Sequence, residues 1–144
     1  MKGSTILRWV AMPILYAMVF FITVIVLRFI DPADHSSLVR LAREGVVGKW
    51  LLGLFEVFPC SLIATMGGIY VSTSIIKDKK QLATIILSTI VSVVYVVLIV
   101  IQFYGNVKGI TSYEETISGY CQNIGVVIGA IICLIYNSKN IECR

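Results

Sequence analysis

Charge is scarce in this chain. Only 14% of its 144 residues are Asp, Glu, Lys or Arg, where a soluble domain carries about 25%. Histidine occurs once, as His35. Beside Asp34 it reads as a solvated loop residue, since no Ser–His–Asp set, no HExxH and no second imidazole accompany it. The four cysteines, Cys60, Cys121, Cys133 and Cys143, form no CxxC and no zinc spacing. With one histidine they leave too few ligands for haem or an iron–sulfur cluster. The Gly67-Gly68-Ile69-Tyr70 stretch lacks the following Lys and the strand–helix setting of a nucleotide loop. No internal repeat is visible, which argues against an inverted-repeat transporter. Together these absences argue against catalysis, a metal centre and a bound cofactor. The net charge of +4 is spread over segment ends instead of one basic face, so it excludes a nucleic-acid partner.

Apolar residues are plentiful. They make up 58% of the chain, more than one soluble core of this size could hide. Four long apolar runs predict an all-α fold: a single polytopic membrane domain over 1–144, built as a four-helix bundle. The spans are placed at about 9–27, 50–76, 82–103 and 117–136. The lipid bilayer is therefore the first partner.

The first run follows a short basic start, residues 1–8. Its length of about 19 residues exceeds a signal-peptide core, and no small-x-small site follows it. It is expected to be a retained span, with Pro13 near its start, where a missing amide costs little. Asp31-Pro32 marks a turn. Residues 36–45 then alternate Leu38, Val39, Leu41 and Ala42 with Arg40, Arg43 and Glu44 and close on Gly45. That pattern predicts a short amphipathic helix, lying on the membrane surface or in a solvated loop. The third run is rich in Val, Ile and Thr, which favour strand in water. It is too long for a strand, and lipid demands a helix. Residues 104–116 read as a loop and 137–144 as a loose polar tail.

Topology follows from the basic residues. Four spans put the N-terminus, the 77–80 link and the C-terminus on one side, with seven positives against five. Lys77, Lys79 and Lys80 lie within one four-residue link, which resists translocation. Both termini are expected in the cytoplasm, in a bacterial-type inner membrane.

The second run organises the rest. It carries Glu56, roughly 9 Å past Trp50 along a helix. A carboxylate near mid-membrane costs about 2.5–3.5 kcal/mol, less toward the interface. Glu56 can serve as a proton site, an ion ligand or a helix-pairing group; the plainer reading is a carboxyl hydrogen-bonded inside the bundle. By topology Gln102, Gln122 and Asn123 share its depth, so the four are expected to form one intramembrane polar layer. Pro59 removes an amide in the next turn and is expected to kink the helix or act as a hinge. Small residues recur at four-residue spacing in two places: Ala64, Gly68 and Ser72, and Cys121, Gly125, Gly129 and Cys133. Such stripes let helices approach closely, within the bundle or between subunits.

In plan, with four spans on short links, small-residue stripes and no catalytic set, the chain resembles two kinds of protein. These are immunity proteins against pore-forming bacteriocins and small four-span subunits of phage-defence systems. The resemblance covers layout. It implies a non-catalytic component acting through helix contacts, as a sensor, anchor or inhibitor, with itself or with a partner protein. The competing reading is a small oligomeric ion or solute conductor with Glu56 on the path.

Overall fold

Lipid offers no hydrogen bonds, so each crossing segment must satisfy its backbone internally. The computed structural model describes residues 2–30, 45–76 and 79–142, and its elements are helical throughout. Helix α1 spans Lys2–Ile30. The second crossing is continuous but compound: α2 (Val46–Leu52), a π turn (Gly53–Val57) and α3 (Phe58–Ser74). Helix α4 is Lys80–Val107 and α5 is Tyr113–Glu142. Four helical stretches are long and apolar enough to cross a membrane, at Ile6–Leu27, Val46–Ser74, Lys80–Val107 and Thr116–Asn137. Their mean hydropathies are 2.6, 1.6, 2.8 and 1.7. The two lowest values belong to the crossings that carry the polar and small residues.

Helices overrun the sequence boundaries. Helix α1 begins at Lys2, so Pro13 sits in its interior and not at its start. The ring faces outward, and the missing amide leaves the Trp9 carbonyl without its usual donor. Tyr104 to Val107 continue α4 instead of opening a loop, and α5 runs on to Glu142 through most of the expected tail. Gly45, expected to close an amphipathic helix, is the N-cap of α2. The rest of that expected helix lies outside the described residues.

Helices α3 and α5 pack together at the centre, α1 flanks α3, and α4 flanks α5. The fourth crossing is the most enclosed of the four. Along α1, Met12, Tyr16 and Phe20 are the buried row, one residue per turn. They meet Ala64 and Ile69 of α3 and Leu87 and Val91 of α4 in one apolar core. Phe20 closes the gap between α1 and α4 by ring contact with Tyr95, at 6.5 Å between centroids. One end of the molecule carries the 108–112 turn, where Gly109 takes φ +69. The other carries the 77–80 link. They are termed here the turn end and the lysine end.

Candidate functional site

The α3–α5 seam sets the register of everything polar. A Cβ on Gly125 would fall 2.7 Å from the Phe58 carbonyl and onto the Ser61 hydroxyl. One on Gly129 would meet the Leu62 carbonyl at 3.0 Å. One on Gly53 would fall 2.5 Å from Cys121 Sγ. Gly125 leaves no room for a side chain against the Phe58 backbone, Gly129 is tight, and at Gly53 the Cys121 side chain would have to shift. The pairs advance together along both chains, so the second and fourth crossings run parallel. The buried Cys121, Gly125 and Gly129 thus form the strip against the second crossing, and Cys133, half-buried, lies farther along the same helix. On α3 Ala64, Gly68 and Ser72 are buried as well, and of these Ala64 joins the core cluster with Tyr16 of α1. Gly68 receives the Tyr16 ring of α1, whose carbons would stand 3.0 and 3.1 Å from a Cβ.

This register fixes the depth of Glu56. It lies between Gly53, set against Cys121, and Phe58, set against Gly125. Its level is therefore the turn of α5 that holds Gln122 and Asn123. Across the α4–α5 interface, the Asn123 amide donates to the Gln102 carbonyl oxygen at 2.9 Å. A Cβ on Gly119 would fall 2.5 Å from Gln102 Nε2, so this glycine makes room for the glutamine. Asn123 is buried, while Gln102, Gln122 and Glu56 are half-buried. The four residues share a level; two of them are joined. Glu56 makes no hydrogen bond or ion pair among the described residues, and its neighbours Leu54 and Phe55 are 50% and 79% exposed.

The backbone under Glu56 is unusual. The Phe58 amide donates to the Gly53 carbonyl, five residues back. Pro59 follows at once, at the start of α3. Widening one turn by a residue absorbs the proline without breaking the helix, and π turns of this kind collect at functional sites. Ser61 then donates to the carbonyls of Val57 and Phe58, both at 2.9 Å, which steadies the turn after the proline.

A second polar knot stands at the turn end. The Asn106 amide donates to Thr116 Oγ1 at 2.9 Å and to the Tyr120 hydroxyl at 3.0 Å. Its carbonyl oxygen accepts from Thr111 Oγ1 at 2.7 Å. The sequence does not announce it, because 104–116 reads as loop. The available signal was Thr116 and Tyr120, four apart and so on one helix face, with an asparagine across a short turn. At the other end Lys79 and Lys80 are exposed; Lys77 lies outside the described residues.

From its middle to the lysine end the bundle is lined with hydroxyls. Thr65 donates to Ser61 O at 2.7 Å, Ser72 to Gly68 O at 2.6 Å, Thr73 to Ile69 O at 2.8 Å and Thr84 to Lys80 O at 3.0 Å. Each bond returns to its own helix. Among the described residues the enclosed hydroxyls of Ser88 and Ser92 meet no partner, and the Tyr16 hydroxyl lies beside Thr65. Among the described residues, no group of three His, Cys, Asp or Glu side chains could hold a metal.

No family model, curated protein or solved structure matches this chain.

Proposed function

We propose that this protein is a non-catalytic membrane component that works through contacts between helices, as a sensor, anchor or inhibitor subunit of a bacterial-type inner-membrane complex. Defence or immunity systems are the setting that its layout suggests. Both termini face the cytoplasm, on the side of the three-lysine link. Glu56 carries the reading. It stands on a π turn, level with two amides that have already paired with each other, and has no partner in its own chain among the described residues. A carboxylate at this depth has its insertion cost relieved when another helix supplies a donor. The exposed row Val93, Val97, Val100 and Ile101 on α4 adds an apolar face on which a further helix can rest.

The test is gentle extraction from native membranes followed by intact-complex mass measurement, on the wild type and on Glu56→Leu. A second protein at fixed stoichiometry, lost in Glu56→Leu but kept in Glu56→Gln, supports the reading. A bare homo-oligomer whose cation flux disappears in Glu56→Gln would instead make the protein a conductor. That alternative draws on the shared level of Glu56 and Gln122, which a ring of copies would repeat around an axis. A complex indifferent to both substitutions would remove Glu56 from the account.

A further inference from the structure

At the lysine end a cavity of about 270 Å³ opens between α3, α4 and α5. Its lining divides by chemistry. The walls include Ile69, Cys133 and the rings of Tyr70 and Tyr136, while Lys80, Gln81 and Asn137 bring an ammonium and two amides. The ammonium of Lys80 sits 4.5 Å from the centre of the Tyr70 ring, held on the cavity wall by the ring's negative face. Thr73 and Thr84 also line it, but their hydroxyl protons are committed to Ile69 O and Lys80 O. The donors left to the cavity favour an anion. The apolar wall below them favours something attached to that anion that is not.

We propose that this cavity binds the phosphate of an anionic phospholipid, with Lys80, Gln81 and Asn137 taking the headgroup and the Tyr70–Ile69–Tyr136 wall taking the first part of an acyl chain. Three observations converge. The cavity lies at the ends of three membrane-crossing helices, where headgroups reside. Its one charged lining residue among those described is Lys80, and the link beside it adds Lys79 and, in sequence, Lys77 against Asp78, a net positive balance. Its lining is amphipathic in the way a phospholipid is. A soluble phosphate would use the donors and leave the apolar wall idle. Basic pockets between crossing helices are a recurrent site for such headgroups. The assignment does not rest on the function proposed above.

The experiment uses the full chain in mild detergent, with intact-mass counting of retained lipid after addition of phosphatidylglycerol or phosphatidylcholine. One phosphatidylglycerol per chain is expected to be held in preference to phosphatidylcholine. Lys80→Gln should cut that preference about fivefold, the usual worth of one basic residue near a lipid surface. Lys108→Gln is the matched control. Lys108 also lies over a tyrosine, Tyr104 at 5.5 Å, but at the turn end and away from the cavity. Both lysines are exposed, so folding is retained, and helical content by circular dichroism checks it. Equal losses from the two variants would reduce the effect to diffuse surface charge and overturn the site. Release of the lipid by millimolar inorganic phosphate would overturn the lipid assignment and make it a site for free phosphate. Absence of any preference in the wild type would overturn both.

Discussion

The turn end of this bundle and the stretch from its middle to the lysine end both hold buried polar side chains, and they use them in opposite ways. At the turn end the groups are amides. Asn123 reaches across to Gln102, and Asn106 ties α4 to Thr116 and Tyr120 of α5. From the middle to the lysine end they are hydroxyls, and Thr65, Ser72, Thr73 and Thr84 all bond to a carbonyl four residues back on their own helix. The difference lies in reach. A serine or threonine oxygen is one bond beyond Cβ, close enough to its own helix to satisfy itself there. An asparagine or glutamine has its amide farther out, with both donors and an acceptor, and can span two helices. Polarity alone therefore does not make glue. In this fold the amides fasten helices, with Thr116 and Tyr120 as partners of Asn106, while the hydroxyls of Thr65, Ser72, Thr73 and Thr84 behave as small residues that leave room.

That contrast is open to direct attack, and the largest effect should come from taking the room away. Gly125→Leu drives a branched side chain into Ser61 and the Phe58 carbonyl. The obstacle is backbone, which cannot swing aside, so the loss should reach about 3 kcal/mol, the upper part of the usual overpacking range. Gly67→Leu supplies the scale. A Cβ there meets nothing within 4 Å, and the variant should stay within about 0.5 kcal/mol of wild type. Reversible unfolding in mixed detergent reads both. Equal losses would mean that the seam is not where the bundle is held.

Next in size is Asn106→Ala, which removes the bonds from Asn106 to Thr116, Tyr120 and Thr111. A loss of about 2 kcal/mol is expected, from two or three bonds at ~0.5–1.5 kcal/mol each. Amide exchange should quicken around 108–112 and not at the lysine end. A uniform increase along the chain would show that the knot serves the bundle and not its own hairpin.

How much of this was legible beforehand depends on the kind of signal. The four crossings were plain because length and apolarity suffice to mark a membrane helix. A common level for Glu56, Gln102, Gln122 and Asn123 is an expectation that span counting alone produces. Which pairs form within that level did not follow, because it depends on helix rotation, and an almost uniformly apolar segment carries no face to read. The Asn106 knot was hidden by its Gly-Asn context, which looks like a turn until Thr116 and Tyr120 are seen across from it. Pro13 was misplaced for a related reason: the polar residues before it suggested a helix start, yet a membrane helix continues into the interface. The π turn at Gly53–Val57 left no mark in composition beyond the proline after it.

Smaller again is the effect of the single amide bridge. Asn123→Leu and Gln102→Leu should each cost about 1 kcal/mol, with a coupling near ~0.6 kcal/mol when both are changed, the average for bonds between membrane helices. The double variant should therefore be less damaged than the sum. Full additivity would mean that the 2.9 Å bond contributes nothing and that both amides matter for their bulk.

The smallest effect tests the other half of the contrast. The Ser88 hydroxyl is enclosed on α4 and meets no partner among the described residues. Its desolvation is a cost with no return, so Ser88→Ala removes a penalty along with an oxygen. The expected change lies between zero and a gain of about 1 kcal/mol. Thr84→Val, which takes away a hydroxyl bonded to its own helix, should fall on the other side of zero by a few tenths. The sign separates the two, and the same unfolding titration measures both. A loss of more than about 1 kcal/mol in Ser88→Ala would mean that the hydroxyl is bonded in the membrane after all. The middle of the bundle would then be fastened by its polar groups as the turn end is, and the distinction between amides and hydroxyls would have to be withdrawn.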